Sequence, residues 1–272
     1  MRRYATTMAV PATYLDAIIA AHRNRASNDN RDWRGRSVAS SGASLELALR
    51  GHRPLGNAVI AEVKRASPSK GPLNPDLDPS ILAREYQDGG ASAISVLTDR
   101  DHFGGSFDDL AAVLRAVRLP ILRKDFTISV NDVLDTAEIG ASCVLLIVAA
   151  LTYEELKEFL HVSRDVGLDA LVEVHDEIEA AVAVELGATM IGVNQRDLHT
   201  FQVDTERAQR VAATLPDAVV RVAESGFHNA HAVRDAAAAG FDAVLVGEAF
   251  VTSDDPSGAV RSFVGFPIGG KQ

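Results

Sequence analysis

The stretch Glu138-Ile-Gly140-Ala-Ser-Cys143-Val-Leu-Leu-Ile-Val148 decides how this chain reads. A helical segment ends on a glycine, which supplies the left-handed residue that closes a helix. A short run, apolar on both faces, follows within three residues, as expected of a strand in a buried parallel sheet. The same helix-glycine-strand junction returns at Asp88-Gly-Gly90-Ala-Ser-Ala93, Val166-Gly167-Leu-Asp-Ala170, Glu185-Leu-Gly187-Ala-Thr189 and Ala239-Gly240-Phe-Asp-Ala243. One Gly-Ala pair would mean little. Five junctions, spaced by one or two strand-helix units, indicate a repeated βα architecture.

Working outward, eight strands are expected near 58–64, 92–97, 119–124, 143–148, 168–174, 189–194, 218–224 and 242–247. Helices are expected after them near 79–88, 107–117, 130–139, 153–166, 176–186, 205–214, 229–239 and 256–264. Helix starts agree with this count. Asp78-Pro79 and Asp255-Pro256 place a cap before a proline at the first helical position, and Asn229 is a further cap. Thr152-x-x-Glu155 and Asp176-x-x-Glu179 have capping-box spacing. Eight such units predict an α/β fold, the (β/α)₈ TIM barrel, with an N-terminal helical extension. A doubly wound open sheet has no reason to stop at eight units. The expected division is residues 1–50 as helical extension and loop, and 51–268 as the barrel, forming one domain overall. In the extension, Leu15, Ile18 and Ile19 with Tyr14 form an apolar helical face, and Ser44 to Leu49 begins a second helix. Asn24 to Ser41, rich in Arg, Asn, Asp, Ser and Gly, reads as a mobile loop.

At 272 residues and 47% hydrophobic, the chain can bury a barrel-sized core. The net charge of -10 argues against a nucleic-acid surface. No apolar run approaches the roughly 20 residues that span a bilayer, and the N-terminal stretch does not read as a signal peptide. The lone cysteine, Cys143, excludes an internal disulfide and sits inside a strand, where packing is its expected role. A soluble, cytoplasmic protein is expected; its protein partners are not legible.

Ionisable groups recur at the carboxyl ends of the apolar runs, where desolvation is costly unless they are paired or used. Glu62 and Lys64 lie one pleat apart and share a face. Lys124 ends strand three and reads as a general acid or a Schiff-base nucleophile. Glu173, Asn194 and Glu224 end strands five, six and seven. Arg196 offers a guanidinium fork suited to a carboxylate. Ser225-Gly226 and Gly247-Glu248 follow strands seven and eight, the usual place for a phosphate in a barrel, and Ser67 can add a hydroxyl. The eight histidines are scattered and only His175 lies beside a strand end, so no metal site is expected. No dinucleotide fingerprint follows a strand. The pattern suggests acid-base chemistry on a small phosphorylated substrate without a cofactor.

From about Asn57 to Val264 the chain resembles the indole-3-glycerol phosphate synthase family. The motifs are Ile60-Ala-Glu-Val-Lys-Arg-Ala-Ser-Pro-Ser-Lys-Gly71, Ser95-Val-Leu-Thr98 with Phe103-Gly-Gly, Leu122-Arg-Lys-Asp-Phe126, Leu171-Val-Glu-Val-His175, Ile191-Gly-Val-Asn-Gln-Arg-Asp-Leu198 and Ala223-Glu-Ser-Gly226. The resemblance implies that 1-(2-carboxyphenylamino)-1-deoxyribulose 5-phosphate closes to indole-3-glycerol phosphate with loss of CO₂ and water. It implies Lys124 as general acid in ring closure and Glu173 in proton transfer at dehydration. Glu62 and Asn194 would orient and polarise the reacting centre, and Glu224 would support the lysines. Lys64 either holds substrate or supplies a second acid. By the same likeness Arg196 meets the anthranilate carboxylate. Ser67, Ser225, Gly226, Gly247 and the backbone of Glu248 cradle the phosphate. Phe103, Phe126, Leu145, Leu198 and Pro68 wall the aromatic ring. Glu248 stands where many relatives carry a small residue, so its carboxylate must turn away from the phosphate or weaken binding. An aldolase-like Schiff-base lyase and a non-catalytic phosphometabolite-binding barrel are the competing readings. The neighbouring barrel phosphoribosylanthranilate isomerase is disfavoured, because Cys143 lies mid-strand in the fourth unit and strand one offers no matching base.

Overall fold

A computed structural model describes residues 14–40, 42–197 and 202–270 of the chain. Its centre is a closed barrel of eight parallel strands. They are β1 (Ala58–Val63), β2 (Ala93–Leu97), β3 (Ile121–Lys124), β4 (Cys143–Ile147), β5 (Asp169–Val174), β6 (Met190–Asn194), β7 (Val220–Glu224) and β8 (Ala243–Val246). Each pairs with the next in sequence, and β8 closes on β1 through Ala58 opposite Ala243. The expected helices lie between and after them, from Pro79–Asp88 to Pro256–Arg261. All five junction glycines, Gly90, Gly140, Gly167, Gly187 and Gly240, take the left-handed backbone the reading requires.

Strand alternation sorts the side chains into two cores. Val59, Ala61, Ile94, Val144, Leu146, Val172, Ile191 and Val244 face the helices. Ile60, Leu122, Cys143, Leu145, Leu171, Met190, Val222 and Leu245 face inward and fill the barrel axis. Cys143 is a fully buried free thiol, pushed up in pKa chiefly by that burial. The barrel is therefore a packed interior with functional groups only above it.

The extension touches both ends of the barrel. The helix Leu45–His52 inserts Leu45 and Leu49 into the inward-facing cluster and plugs the bottom. Ser44 caps that helix, and Asp169, at the start of β5, accepts from both Ser44 Oγ and the Glu46 amide at 2.9 Å. Arg53 grips the buried Asp242 with two hydrogen bonds, at 2.8 and 3.0 Å. The helix Tyr14–Ser27 lies at the opposite, carboxyl end of the strands. His22 Nε2 sits 2.8 Å from Asp99 Oδ2, beyond β2, and Arg23 pairs with Glu155 at 2.8 Å while donating to the Ala150 carbonyl beyond β4.

The segment Asn24 to Ser41 carries more structure than the loop expected of it. The helix continues to Ser27, and a 3₁₀ turn forms at Trp33–Gly35. Arg31 and Arg36 both bind Asp135, at 2.8 and 2.7 Å, and Arg36 also reaches Glu138 at 2.5 Å. The Ser40 amide donates to the Val166 carbonyl at 2.7 Å. Their partners lie about a hundred positions away, so local composition could not reveal them; Ser41 itself lies outside the described residues. The loop after β1 also contains a small hairpin, Ala66–Ser67 against Gly71–Pro72, which the sequence reading did not anticipate. Among the described residues no helix is long and apolar enough to cross a membrane.

The plug makes a direct prediction. Leu49→Ala removes a fully buried side chain and should lower unfolding free energy by about 3 kcal/mol in chemical denaturation. Leu47→Ala, on the same helix but 70% exposed, should stay within about 0.5 kcal/mol of the parent. Equal effects would contradict the plug.

Candidate active site

Inward alternation continues past the apolar layer into a polar one. On β1 the inward set runs Ala58, Ile60, Glu62; on β5 Leu171, Glu173; on β6 Met190, Gly192, Asn194; on β7 Val220, Val222, Glu224. Sheet register brings the tops together: Asn194 is paired with Glu224, and Glu173 with Gly192. Lys124 reaches in from the last position of β3.

Its ammonium meets two carboxylates, Glu173 Oε2 at 3.0 Å and Glu224 Oε2 at 3.5 Å. Both glutamates are 2% exposed. Asn194 Nδ2 donates to Glu173 Oε1 at 3.0 Å, while its own Oδ1 accepts from the Arg196 amide at 3.0 Å, which fixes the orientation of the side-chain amide. Glu62 and Lys64 form a second pair at 2.7 Å, as their shared face required.

One cation cannot neutralise two buried anions, and an unpaired buried charge costs several kcal/mol. The two carboxyls therefore separate in proton affinity. Burial and the adjacent Glu173 charge push Glu224 well above the usual carboxylate range, against the pull of Lys124. Burial works on Glu173 too, but Lys124, His175 and the Asn194 amide outweigh it and hold Glu173 below its ordinary value. Burial also opposes the Lys124 ammonium, yet Glu173, Glu224 and Glu62 together hold it above the ordinary lysine value. The two carboxyls beside Lys124 are thus driven in opposite directions, Glu173 toward the carboxylate and Glu224 toward the acid.

A cavity of about 1060 Å³, counting its open mouth, lies above this cluster. Glu62, Lys64, Ser67, Pro68, Phe103, Lys124, Phe126, Leu145, Glu173, Asn194, Arg196, Glu224, Ser225, Gly226, Gly247 and Glu248 all line it. Leu198 lies outside the described residues. On one side the rings of Phe103 and Phe126 stand 6.4 Å apart, and His22 packs 5.3 Å from Phe126. On the other side Ser225 and Gly226 have φ of 69° and 82°. Ser225 is the only non-glycine residue so placed among those described, a strained conformation of the kind retained at functional sites. The Ser67 hydroxyl there is buried and unpartnered. The Glu248 carboxylate pairs with Lys70 from the hairpin loop, so it is turned to a cation of its own.

The sequence reading missed Leu97, Ile147, Phe227 and Leu245, which also line the cavity. It also missed two glycines' fit. A Cβ on Gly192 would stand 1.9 Å from Glu224 Oε1. One on Gly247 would stand 2.5 Å from Glu62 Oε1 and 3.0 Å from Lys64 Nζ. The inward position of Gly192, two before Asn194, was available as a signal; His22 left none.

A family model described as indole-3-glycerol phosphate synthase matches residues 14–263. The chain belongs to the indole-3-glycerol phosphate synthase family. An indole-3-glycerol phosphate synthase of Mycolicibacterium vanbaalenii is 48% identical over 263 residues, covering 93% of this chain and 94% of the relative. That of Nocardioides is 47% identical, covering 92% and 98%. The match begins with the helix at residue 14, so residues 14–50 of the extension lie within it along with the barrel. Solved structures share the fold at low identity. 3-Hexulose-6-phosphate synthase from Salmonella typhimurium has a TM-score of 0.60 at 13% identity, covering 76% of this chain and 96% of that one. Thiamine phosphate pyrophosphorylase from Pyrococcus furiosus has 0.57 at 18%, covering 78% and 95%.

Gly192→Ala should drive the Glu224 carboxyl off its position and lower kcat about 10²-fold, as misplacements of an ångström can. Gly51→Ala, with no atom within 4 Å of its Cβ, should leave kcat unchanged. Steady-state kinetics on both variants checks the pair; an active Gly192→Ala would show that Glu224 need not sit where it does.

Proposed function

We propose that the chain converts 1-(2-carboxyphenylamino)-1-deoxyribulose 5-phosphate to indole-3-glycerol phosphate in tryptophan biosynthesis, as a carboxy-lyase. The observation that carries the mechanism is the Lys124 ammonium between Glu173 and Glu224. A lysine held protonated by carboxylates is a proton donor, and its nitrogen lone pair is unavailable for attack on a carbonyl. That favours acid catalysis over the aldolase-like imine.

In the proposed sequence the phosphate rests on Ser67, Ser225, Gly226, Gly247 and the Glu248 backbone. The aromatic ring enters between Phe103, Phe126, Leu145 and Pro68, and Arg196 meets the carboxylate. The ring carbon that bears the carboxylate attacks the ketose carbonyl, and Lys124 delivers a proton to the developing alkoxide. Loss of CO₂ leaves its bonding electrons to the ring. Lys124, reprotonated from solvent, then protonates the new hydroxyl, which departs as water while the ionised Glu173 takes the proton that the double bond displaces. Glu62 and Asn194 orient the reacting centre. Glu224, as a neutral acid, leaves Lys124 with a single full counter-charge. Lys64 is assigned to substrate binding rather than to a second acid role, because it sits beside Gly247 at the phosphate end.

These steps move protons and transfer no electrons to an acceptor, so the proposal assigns no cofactor. It places the enzyme in the cytoplasm and counts the extension and barrel as one catalytic unit. Indole fluorescence on mixing with the substrate tests the reading. Wild type should turn over, Lys124→Ala should lose about 10²–10⁴-fold in kcat, and borohydride should trap no adduct. Binding without turnover would make the chain a metabolite binder, and a borohydride-trapped adduct on Lys124 would restore the imine.

A further inference from the structure

His175 lies one pleat beyond Glu173, just past the end of β5 at Val174. Its main-chain amide donates to Glu179 Oε2 at 2.7 Å, and ring Nδ1 stands 3.2 Å from the same oxygen. The capping-box spacing expects Glu179 to return to Asp176. It does not: Asp176 caps the helix Glu177–Glu185 alone, accepting from the Ile178 and Glu179 amides. The Glu179 carboxylate is thereby freed to hold His175.

With Nδ1 turned to Glu179, Nε2 faces inward, 3.6 Å from Glu173 Oε1. It is buried and has no hydrogen-bond partner among the described residues. Among the described residues the charged groups around the ring are Glu173 on its own strand, Glu179 on the following helix and Arg207 on the helix Thr205–Thr214. Arg207 is itself 3.6 Å from Asp197. A neutral ring with its Nδ1 proton on Glu179 would aim a lone pair at a carboxylate oxygen inside the protein. A doubly protonated ring places its positive charge between the two carboxylates, 3.2 Å from Glu179 Oε2 and 3.6 Å from Glu173 Oε1. Burial disfavours that form, but Glu179 and Glu173 outweigh it and raise the His175 pKa.

We propose that His175 is a positioning residue for Glu173, an imidazolium braced on Glu179 that holds the Glu173 carboxylate with Oε1 toward Asn194 and Oε2 toward Lys124. It rests on the reading that Glu173 acts as a base in the dehydration. The consequence extends to Glu224: the His175 charge favours the ionised form of Glu173, so that the two carboxyls beside Lys124 stay distinguishable. Without it, both face the same ammonium and differ chiefly in the Asn194 contact.

The sign of the effect follows. Glu173 must be ionised to take a proton, and loss of a nearby cation raises its pKa. In His175→Gln the acid limb of the kcat–pH profile should therefore move to higher pH by about one unit, within the range expected for a charge at this distance. On that limb kcat at fixed pH falls about tenfold, and KM should stay close to wild type. Glu179→Gln should shift the limb in the same direction by less. In the wild type, ¹⁵N NMR of the His175 ring should show both nitrogens protonated at neutral pH, a readout independent of any variant's folding. An unmoved acid limb in His175→Gln, or a neutral ring in the wild type, overturns the proposal. Glu173→Gln separates the two ideas: if it retains full turnover, the base assignment itself falls, whatever His175 does.

Discussion

A single buried ammonium organises the top of this barrel. Lys124 stands within 3.5 Å of two carboxyls that have almost no contact with solvent, and one positive charge can balance only one of them. The imbalance lowers the pKa of Glu173, raises that of Glu224 and favours the charged form of the lysine. The surrounding residues are placed in ways that preserve this arrangement. Gly192 yields the space that the Glu224 carboxyl occupies, Asn194 is locked by the Arg196 amide before it donates to Glu173, and His175 faces the remaining side of the same oxygen.

Beneath that polar layer the barrel is closed by ordinary packing. The inward apolar set is completed from outside the barrel sequence by Leu45 and Leu49. The first helix of the extension then crosses to the other end, where His22 packs against Phe126 on the cavity wall. The extension thus contributes to both the floor of the core and the rim of the site. Its link between the two ends is held by surface ion pairs, each weak alone but arranged as a network around Asp135.

Local patterns made most of the fold legible. Every barrel strand lies within a residue or two of where hydrophobic runs and glycine junctions placed it, and caps at Asp78, Thr152, Asn229 and Asp255 are real. The site was legible for the same reason: in a barrel, a polar residue at the carboxyl end of an inward-facing run has one place to go. What escaped depends on contacts between distant segments. Arg31 and Arg36 find Asp135, His22 finds Asp99, and Glu179 abandons a capping box for the His175 amide; no periodicity encodes these choices. The division of labour between Glu173 and Glu224 was equally hidden, because both are strand-end glutamates and only their neighbours differ.

The charge state of that pair is the most direct test of the account. Proteins carrying ¹³C-labelled glutamate side chains, with the Glu173 and Glu224 carboxyl resonances assigned by single Gln variants, can be titrated by NMR. The account predicts that at mildly acidic pH Glu173 gives the chemical shift of a carboxylate while Glu224 gives that of a carboxylic acid. Two ionised carboxyls, or the reverse order of titration, would contradict it.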